Sequence, residues 1–214
     1  MLKVILKKNV NDSFGAVILA AGMSKRMGEP KLLLPIKNKP MFLYSVHTAT
    51  SAELSPIIVV TGPKHDKMSL LVDRSDITIL ENTEYEQGMG TSLRKGMEQM
   101  AKKNVDAAFV MLADQPFVPS KLLSHMIHLY HQHRPNGYLI IQPQYKTGYG
   151  HPVLFDKSLF EQFAHLKGDV GGKYLLEKYT NEVIRFSVAN PSWNFDVDDI
   201  EDYKQAKKIM DNHR

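Results

Sequence analysis

Short apolar runs alternate with longer amphipathic stretches along most of this chain. The runs AVILAA, IIVVTG and AAFVMLA are apolar throughout, with no alternation between apolar and polar positions. Such runs are typical of parallel strands that helices cover on both faces. The pattern therefore predicts an α/β fold: a single domain with a doubly wound, mostly parallel (mixed) sheet.

The same periodicity gives approximate element boundaries. We predict strands at residues 15–21, 57–62, 77–80, 107–113, 138–142, about 153–155 and 183–187. We predict helices at residues 40–53, 64–72, 90–103, 119–133, 156–163, 171–179 and 199–212. The turn-rich segment YKTGYG predicts a hairpin-like excursion, which often covers a second substrate. Residues 1–14 are expected to form a leader or an edge element, ahead of one domain at residues 15–210.

Composition excludes several kinds of protein. The 214 residues include no cysteine, so a disulfide framework, a zinc ribbon and a thiol nucleophile are excluded. The net charge of +4 is spread along the chain, which favours a small anionic substrate and argues against a nucleic-acid partner. No apolar stretch approaches the ~20 residues of a membrane span, and the N-terminus does not fit a signal peptide. We therefore expect a cytoplasmic protein with no membrane partner.

The segment LAAGMSKRMGEPK, residues 19–31, carries the most chemical information. Small residues at the end of a strand let the backbone approach a ligand, and backbone N–H groups there can donate to phosphate oxygens. Arg26 and Lys31 would then neutralise phosphate charge. The segment matches neither the Walker A nor the Rossmann glycine pattern, so a tight turn with two exposed cations remains an alternative. The candidate nucleotide-binding residues of the strand end are Leu19, Ala20, Ala21 and Gly22.

LAAGxSxRMGxxK resembles the signature of the MobA-like nucleotidyltransferases, and further motifs follow in the family's order. They are GMGTSL, LADQP, GHPVLF, GDVGGKYLL and FDVDDIEDY, so the resemblance extends from residue 15 to about residue 208. It implies a Rossmann-like nucleotidyltransferase fold and an enzyme that depends on Mg²⁺, with Mn²⁺ as an alternative.

Two acidic segments are candidates for holding that metal. Asp114 follows a buried strand, and Asp196 and Asp198 alternate along a short extended segment. Carboxylates from two loops commonly hold Mg²⁺ on a nucleotide, and the resemblance assigns this role to Asp114 and Asp196. The alternatives are a turn-forming Asp114 and a helix N-cap at Asp198 or Asp199, which is the preferred interpretation of that pair.

The resemblance assigns the remaining motifs to the two substrates. Asn82, Gly90 and Ser92 would line the base and ribose, although a helix start capped by Thr91 or Ser92 explains the glycine-rich motif equally simply. The candidate residues of the second substrate site are His151, Asp169 and Lys173. Their alternatives are a turn residue, a helix cap and an exposed helical lysine, respectively.

Within the family, cytidylyltransferases tend to have LAAG where guanylyltransferases have LAGG, so Ala21 favours CTP. The chain most resembles the members that act on the molybdenum cofactor. The resemblance implies transfer of CMP from CTP to the phosphate of molybdopterin or molybdenum cofactor, with release of pyrophosphate. A molybdenum hydroxylase or its chaperone would receive the product. The alternatives are a sugar-phosphate or other nucleotidyltransferase, and a non-catalytic carrier that inserts the cofactor.

Overall fold

The computed structural model describes residues 12–24, 26–72, 74–166, 168 and 171–212. Most of the expected leader and the candidate Asp169 lie outside these described residues. No helix in the described part of the chain combines the length and the apolar character that crossing a membrane requires.

Ten strands and six α-helices form in the described residues. The strands are β1 (Phe14–Ala20), β2 (Pro35–Ile36), β3 (Lys39–Pro40), β4 (Ile57–Thr61), β5 (Ile77–Glu81), β6 (Ala107–Leu112), β7 (Ile140–Tyr145), β8 (Gly148–Tyr149), β9 (Val153–Asp156) and β10 (Val183–Ser187). The α-helices are α1 (Phe42–Ser51), α2 (His65–Ser69), α3 (Met89–Ala101), α4 (Ser120–His133), α5 (Lys173–Lys178) and α6 (Ile200–Asn212). Short 3₁₀ helices cover Lys31–Leu33, Tyr85–Gln87, Arg134–Asn136, Lys157–His165, Thr180–Glu182 and Pro191–Asn194.

The main sheet has the strand order β10-β7-β9-β6-β1-β4-β5, with β8 paired to β7. β1 is parallel to β4 and β6, β4 is parallel to β5, and β7 is parallel to β10. β9 is antiparallel to both of its neighbours. The predicted α/β class with a mostly parallel, mixed sheet is therefore confirmed, and so is the hairpin at residues 145–150, where β7 and β8 pair antiparallel.

Helices cover both faces of the sheet, which explains the uniformly apolar strands. On one face, Ala16 and Ile18 belong to a core that includes side chains of α1 and α4. On the other face, Val17 and Leu19 belong to a core that includes α3, α5 and the 3₁₀ helix Lys157–His165. Since side chains alternate between faces, successive residues of β1 enter different cores. The carboxyl ends of β1, β4, β5 and β6 consequently meet at one edge of the sheet, where ligands bind in open α/β folds.

The predicted helix at residues 156–163 is instead a 3₁₀ helix, Lys157–His165. Asp156 caps it, because its side chain accepts a hydrogen bond from the Ser158 backbone N–H at 2.9 Å. The Asp156 carboxylate, 1% exposed, also accepts from the Tyr130 hydroxyl at 2.7 Å and from Arg134 Nε. Burial raises the pKa of Asp156, but the hydrogen bonds from Ser158, Arg134 and Tyr130 outweigh it, so the net pKa lies below its usual value.

Candidate active site

The loop after β1 folds back to bring Lys31 to the carboxyl edge of the sheet. Ser24 has a positive φ of 54°, its backbone carbonyl accepts from the Met27 N–H at 3.0 Å, and its hydroxyl oxygen accepts from the Lys31 N–H at 3.2 Å. Lys31 then opens the 3₁₀ helix Lys31–Leu33. Its side chain is only 9% exposed, so the alternative of a turn with two exposed cations is wrong for Lys31, although Arg26 is 69% exposed.

Lys31 lies between two carboxylates that are distant from it in the sequence. Its Nζ donates to Asp114 Oδ2 at 2.7 Å and to Asp198 Oδ1 at 3.1 Å. Arg26 Nη2 lies 2.9 Å from the other oxygen of Asp198. Burial lowers the pKa of Lys31, but the two carboxylates raise it more, so the net pKa exceeds its usual value. The ammonium group is therefore charged at neutral pH.

Backbone hydrogen bonds hold Asp114 at this place. The Ala113 N–H donates to the Leu19 carbonyl at 3.1 Å, which continues the pairing of β6 with β1 beyond the strand end. The Val197 N–H donates to the Asp114 carbonyl at 3.1 Å, which attaches the C-terminal acidic segment. The sequence motifs around residues 19, 114 and 197 thus converge on one edge.

The three aspartates of the C-terminal acidic segment have different hydrogen-bond partners. Asp196 accepts from Gln115 Nε2 at 3.0 Å. Burial, together with the negative charge of Asp114, raises the pKa of Asp196 to about 6. Burial also raises the pKa of Asp198, but hydrogen bonds and charges from Lys31 and Arg26 reverse the effect, and its net pKa is lowered. Asp199 accepts from the backbone N–H groups of residues 201 and 202, both at 2.9 Å, as expected for a helix cap. Asp198 instead faces the cations.

A cavity of about 290 Å³ opens over this cluster. Its lining comes from the β1 loop and from the two acidic segments: Leu19, Gly22, Met23, Ser24, Arg26, Lys31, Leu32, Asp114 and Asp198. Ala20 and Ala21 are buried beside it, at 4% and 8% exposed. The cavity lining combines the positive charges of Lys31 and Arg26 with the carboxylates of Asp114 and Asp198, which suits a metal-bound phosphate chain.

Asn82 and Ser92 are hydrogen-bonded to each other. Asn82 Nδ2 donates to Ser92 Oγ at 2.8 Å and to Thr91 Oγ1 at 2.9 Å, and all three residues are buried. The helix start is not capped by Thr91 or Ser92, because Gly88 holds the N-cap position of α3 and no side chain caps it. The Gly90 N–H donates to the Gly168 carbonyl at 2.8 Å. This network fixes the start of α3, and nucleotide contact by Asn82, Gly90 and Ser92 stays a prediction.

A second cavity, of about 580 Å³, adjoins the first because Leu19 lines both. Its walls include His151 and Lys173, as well as Gln142 and Arg185, which the sequence did not single out. Burial lowers the pKa of His151 to about 4, and the Asp114 charge only partly opposes this, so the imidazole is neutral at pH 7. Lys173 is 84% exposed and lies 3.7 Å from Glu177, which matches the alternative of an exposed helical lysine.

Asp198 and Gln115 are the other site residues that sequence reasoning missed or set aside. Asp198 is next to a helix start, so a capping role is the simpler interpretation of its position. Gln115 has an informative position directly after Asp114, but a glutamine in a turn carries no signal by itself. Gln115 is 3% exposed, and its Oε1 has no hydrogen-bond partner among the described residues.

Known proteins resemble this chain over most of its length. The Bacillus subtilis purine catabolism protein PucB is 26% identical over 206 residues, covering 91% of this chain and 96% of PucB. The Escherichia coli molybdenum cofactor cytidylyltransferase is 28% identical over 152 residues, covering 71% of this chain and 74% of that protein. A crystal structure of Rv0371C from Mycobacterium tuberculosis H37Rv in complex with manganese is 26% identical, with a TM-score of 0.72, and covers 92% of this chain and 98% of its own.

A family model provides the assignment. The model of the MobA-like NTP transferase domain matches residues 16–183, which include β1 with its loop, Lys31, Asp114 and His151. The matched region also contains most of β1, all of β2 to β9 and the first residue of β10, so it covers most of the sheet that positions the site. The chain therefore belongs to the MobA-like NTP transferase domain family and is a nucleotidyltransferase.

Proposed function

We propose that this nucleotidyltransferase transfers CMP from CTP to the terminal phosphate of molybdopterin or the molybdenum cofactor and releases pyrophosphate. The observation that carries the proposal is the position of Lys31, buried between Asp114 and Asp198 at the carboxyl edge of the sheet. A buried cation at this edge is suited to phosphate charge that develops during transfer. A molybdenum hydroxylase or its chaperone would receive the product.

The choice of CTP rests on Ala21 and on one relative. Ala21 occupies the position at which guanylyltransferases of the family tend to have glycine, and its methyl group would narrow the space for a purine base. The E. coli relative is named as a molybdenum cofactor cytidylyltransferase. Leu19, Ala20 and Gly22 would bring the backbone close to the nucleotide, while Asn82, Gly90 and Ser92 would border its base and ribose.

The acidic residues fit a divalent metal ion. The carboxylates of Asp114, Asp196 and Asp198 face one edge, and crowding with Asp114 contributes to the raised pKa of Asp196, which a bound cation would relieve. Oxygen ligands are those that Mg²⁺ prefers, and Rv0371C has a manganese complex. Within the described residues, no three His, Cys, Asp or Glu side chains form a complete metal cluster, so phosphate oxygens and water would supply further ligands. Asp114 and Asp196 would hold Mg²⁺ or Mn²⁺, and the ion would neutralise phosphate charge.

The reaction requires no side-chain nucleophile. An oxygen of the acceptor's phosphate attacks the α-phosphorus of CTP in line, the bond from this phosphorus to the bridging oxygen of the β-phosphate breaks, and pyrophosphate leaves. Lys31 and Arg26 stabilise the negative charge that develops on the phosphate oxygens. His151 and Lys173 line the adjoining cavity and would border the acceptor there. We keep Asp169 as a candidate on the same side.

A carrier function is the second candidate, and the PucB match favours considering it. PucB is similar over nearly its whole length, and its name specifies purine catabolism without naming a transfer reaction. A protein of this fold that binds the finished cofactor dinucleotide and inserts it would need the second cavity. It would have no need for Lys31 buried between two carboxylates.

Pyrophosphate release with each of the four NTPs, purified molybdenum cofactor and Mg²⁺ tests the proposal. We expect release with CTP only, dependence on the cofactor, loss on chelation by EDTA, and recovery with Mg²⁺ or Mn²⁺. Asp114→Asn should lose this activity, while Asp66→Asn on the exposed surface of α2 should retain it. Release with a sugar phosphate as acceptor would favour the other nucleotidyltransferase function. Cofactor binding without pyrophosphate release would favour the carrier.

A further inference from the structure

Two residues that line the larger cavity each have a buried polar atom without a hydrogen-bond partner among the described residues. Gln142 on β7 is 5% exposed, and its Oε1 accepts no hydrogen bond from any described residue. Arg185 on β10 has a buried Nε that likewise donates to no described group. A buried polar atom without a partner is costly, so such atoms in a well-packed protein call for an explanation.

The two groups are neighbours on the same face of the sheet. Arg185 pairs directly with Gln142 in the parallel register of β10 and β7. Both side chains line the cavity together with apolar walls from Val153, Phe155 and Leu176. The Arg185 guanidinium carbon also lies over the ring of Tyr149, at 4.7 Å from its centroid. The cavity therefore has apolar walls and, among its lining residues, two neighbours that carry an unpaired acceptor and an unpaired donor.

This pair lies far from the nucleotide half of the site. The candidate phosphate-binding residues follow β1 and β6, and Asn82 follows β5, whereas Gln142 and Arg185 belong to β7 and β10. Two strand spacings separate β7 from β6 and three separate β10 from β6, distances on the order of 10 Å and 14 Å. A group bound there cannot be the reacting phosphate at Lys31. A group bound at Gln142 and Arg185 is therefore a part of the acceptor that lies away from the reacting phosphate.

We propose that Gln142 and Arg185 determine acceptor specificity by binding the edge of a flat heteroaromatic ring that carries an N–H beside a C=O, as a pterin does. The ring N–H donates to Gln142 Oε1, and the ring carbonyl accepts from Arg185 Nε. The apolar walls contact the faces of the ring. The pterin assignment rests on the proposed cofactor acceptor, whereas the unpaired donor and acceptor are properties of the cavity itself.

The variant Gln142→Leu separates this role from a structural one. Leucine is close in size and leaves no unpaired oxygen, so we expect the melting temperature to stay the same or rise. We expect the KM for the molybdenum cofactor to rise about tenfold, as for one lost hydrogen bond, while the KM for CTP changes less than about twofold. Gln144→Leu is the matched control, because Gln144 is an exposed residue of the same strand. It should leave all these quantities unchanged.

A binding measurement makes the test independent of turnover. Quenching of the fluorescence of free pterin, which has no phosphate, should report binding to the wild-type protein, with affinity about tenfold lower for Gln142→Leu. Arg185→Lys, which keeps the charge but removes the planar guanidinium and its Nε, should show a similar loss. Equal pterin affinity in wild type and Gln142→Leu would overturn the inference, as would a lower melting temperature with unchanged acceptor KM.

The result also separates this inference from the proposed function. Cofactor-dependent pyrophosphate release without any pterin binding to the wild type would leave the proposed function standing and overturn the role of Gln142. Pterin binding that depends on Gln142, without pyrophosphate release, would support the role of Gln142 and contradict the proposed reaction.

Discussion

Replacing Lys31 by methionine removes the charge between Asp114 and Asp198 and keeps most of the apolar stem. Breaking a fully buried ion pair costs about 3–5 kcal/mol, and an exposed pair contributes up to about 1 kcal/mol. The Lys31 side chain is 9% exposed, but its two partners are 24% and 39% exposed. We therefore expect an intermediate loss of about 2 kcal/mol in the free energy of unfolding.

The effect on turnover should be much larger than the effect on folding. Loss of one group that stabilises transition-state charge typically lowers kcat by about 100- to 1000-fold. A protein with about 5 kcal/mol of stability would remain about 99% folded after losing about 2 kcal/mol. Unfolding therefore cannot account for a loss of this size, and steady-state pyrophosphate release with CTP and cofactor measures the catalytic effect directly.

Urea unfolding between about pH 6 and 11 provides the second measurement for Lys31→Met. Because the folded-state pKa of Lys31 is raised, its stabilising charge is fully present below the unfolded pKa of about 10.5 and is lost as pH rises through the folded value. The stability difference between wild type and variant should be constant near neutral pH and shrink only at the alkaline end. Lys67→Met, at an exposed position on α2, is the matched control. Wild-type turnover in Lys31→Met would refute the assignment.

Three other substitutions test the fold and the nucleotide site. Asp156→Asn should lower the free energy of unfolding by about 2–3 kcal/mol, since Arg134 would lose its buried partner. The wild type should be more stable than this variant by the full amount above about pH 4, where the unfolded carboxyl is charged. This difference should disappear as pH falls through the lowered folded-state pKa of Asp156. Gly96→Ala should cost about 1–3 kcal/mol in urea unfolding, because the new Cβ would lie 2.4 Å from Val17 Cγ1; unchanged stability would contradict this packing argument. Ala21→Gly should shift the ratio of CTP to GTP turnover toward GTP, and an unchanged ratio would refute the steric explanation of nucleotide choice.

The fold class followed from the sequence because buried parallel strands leave a strong local signal. The uniformly apolar runs predicted the ends of β1, β4 and β6 to within a residue or two. The short β2 and β3 gave no such signal, since two residues establish no periodicity. The 3₁₀ helix Lys157–His165 has the composition of an α-helix, and its geometry depends on the cap at Asp156 and on packing.

The sequence by itself determined the meeting of the β1 loop with Asp114, because the carboxyl ends of adjacent parallel strands share one edge. Only the tertiary structure decided that Lys31 is buried and that its ammonium group contacts both Asp114 and Asp198. Lys31 and Asp198 are 167 positions apart in the sequence. It alone also brought Gln142 and Arg185 together with unpaired polar atoms. Local periodicity predicts which face of a strand a side chain occupies, but hydrogen-bond partners across the sheet depend on how distant segments pack.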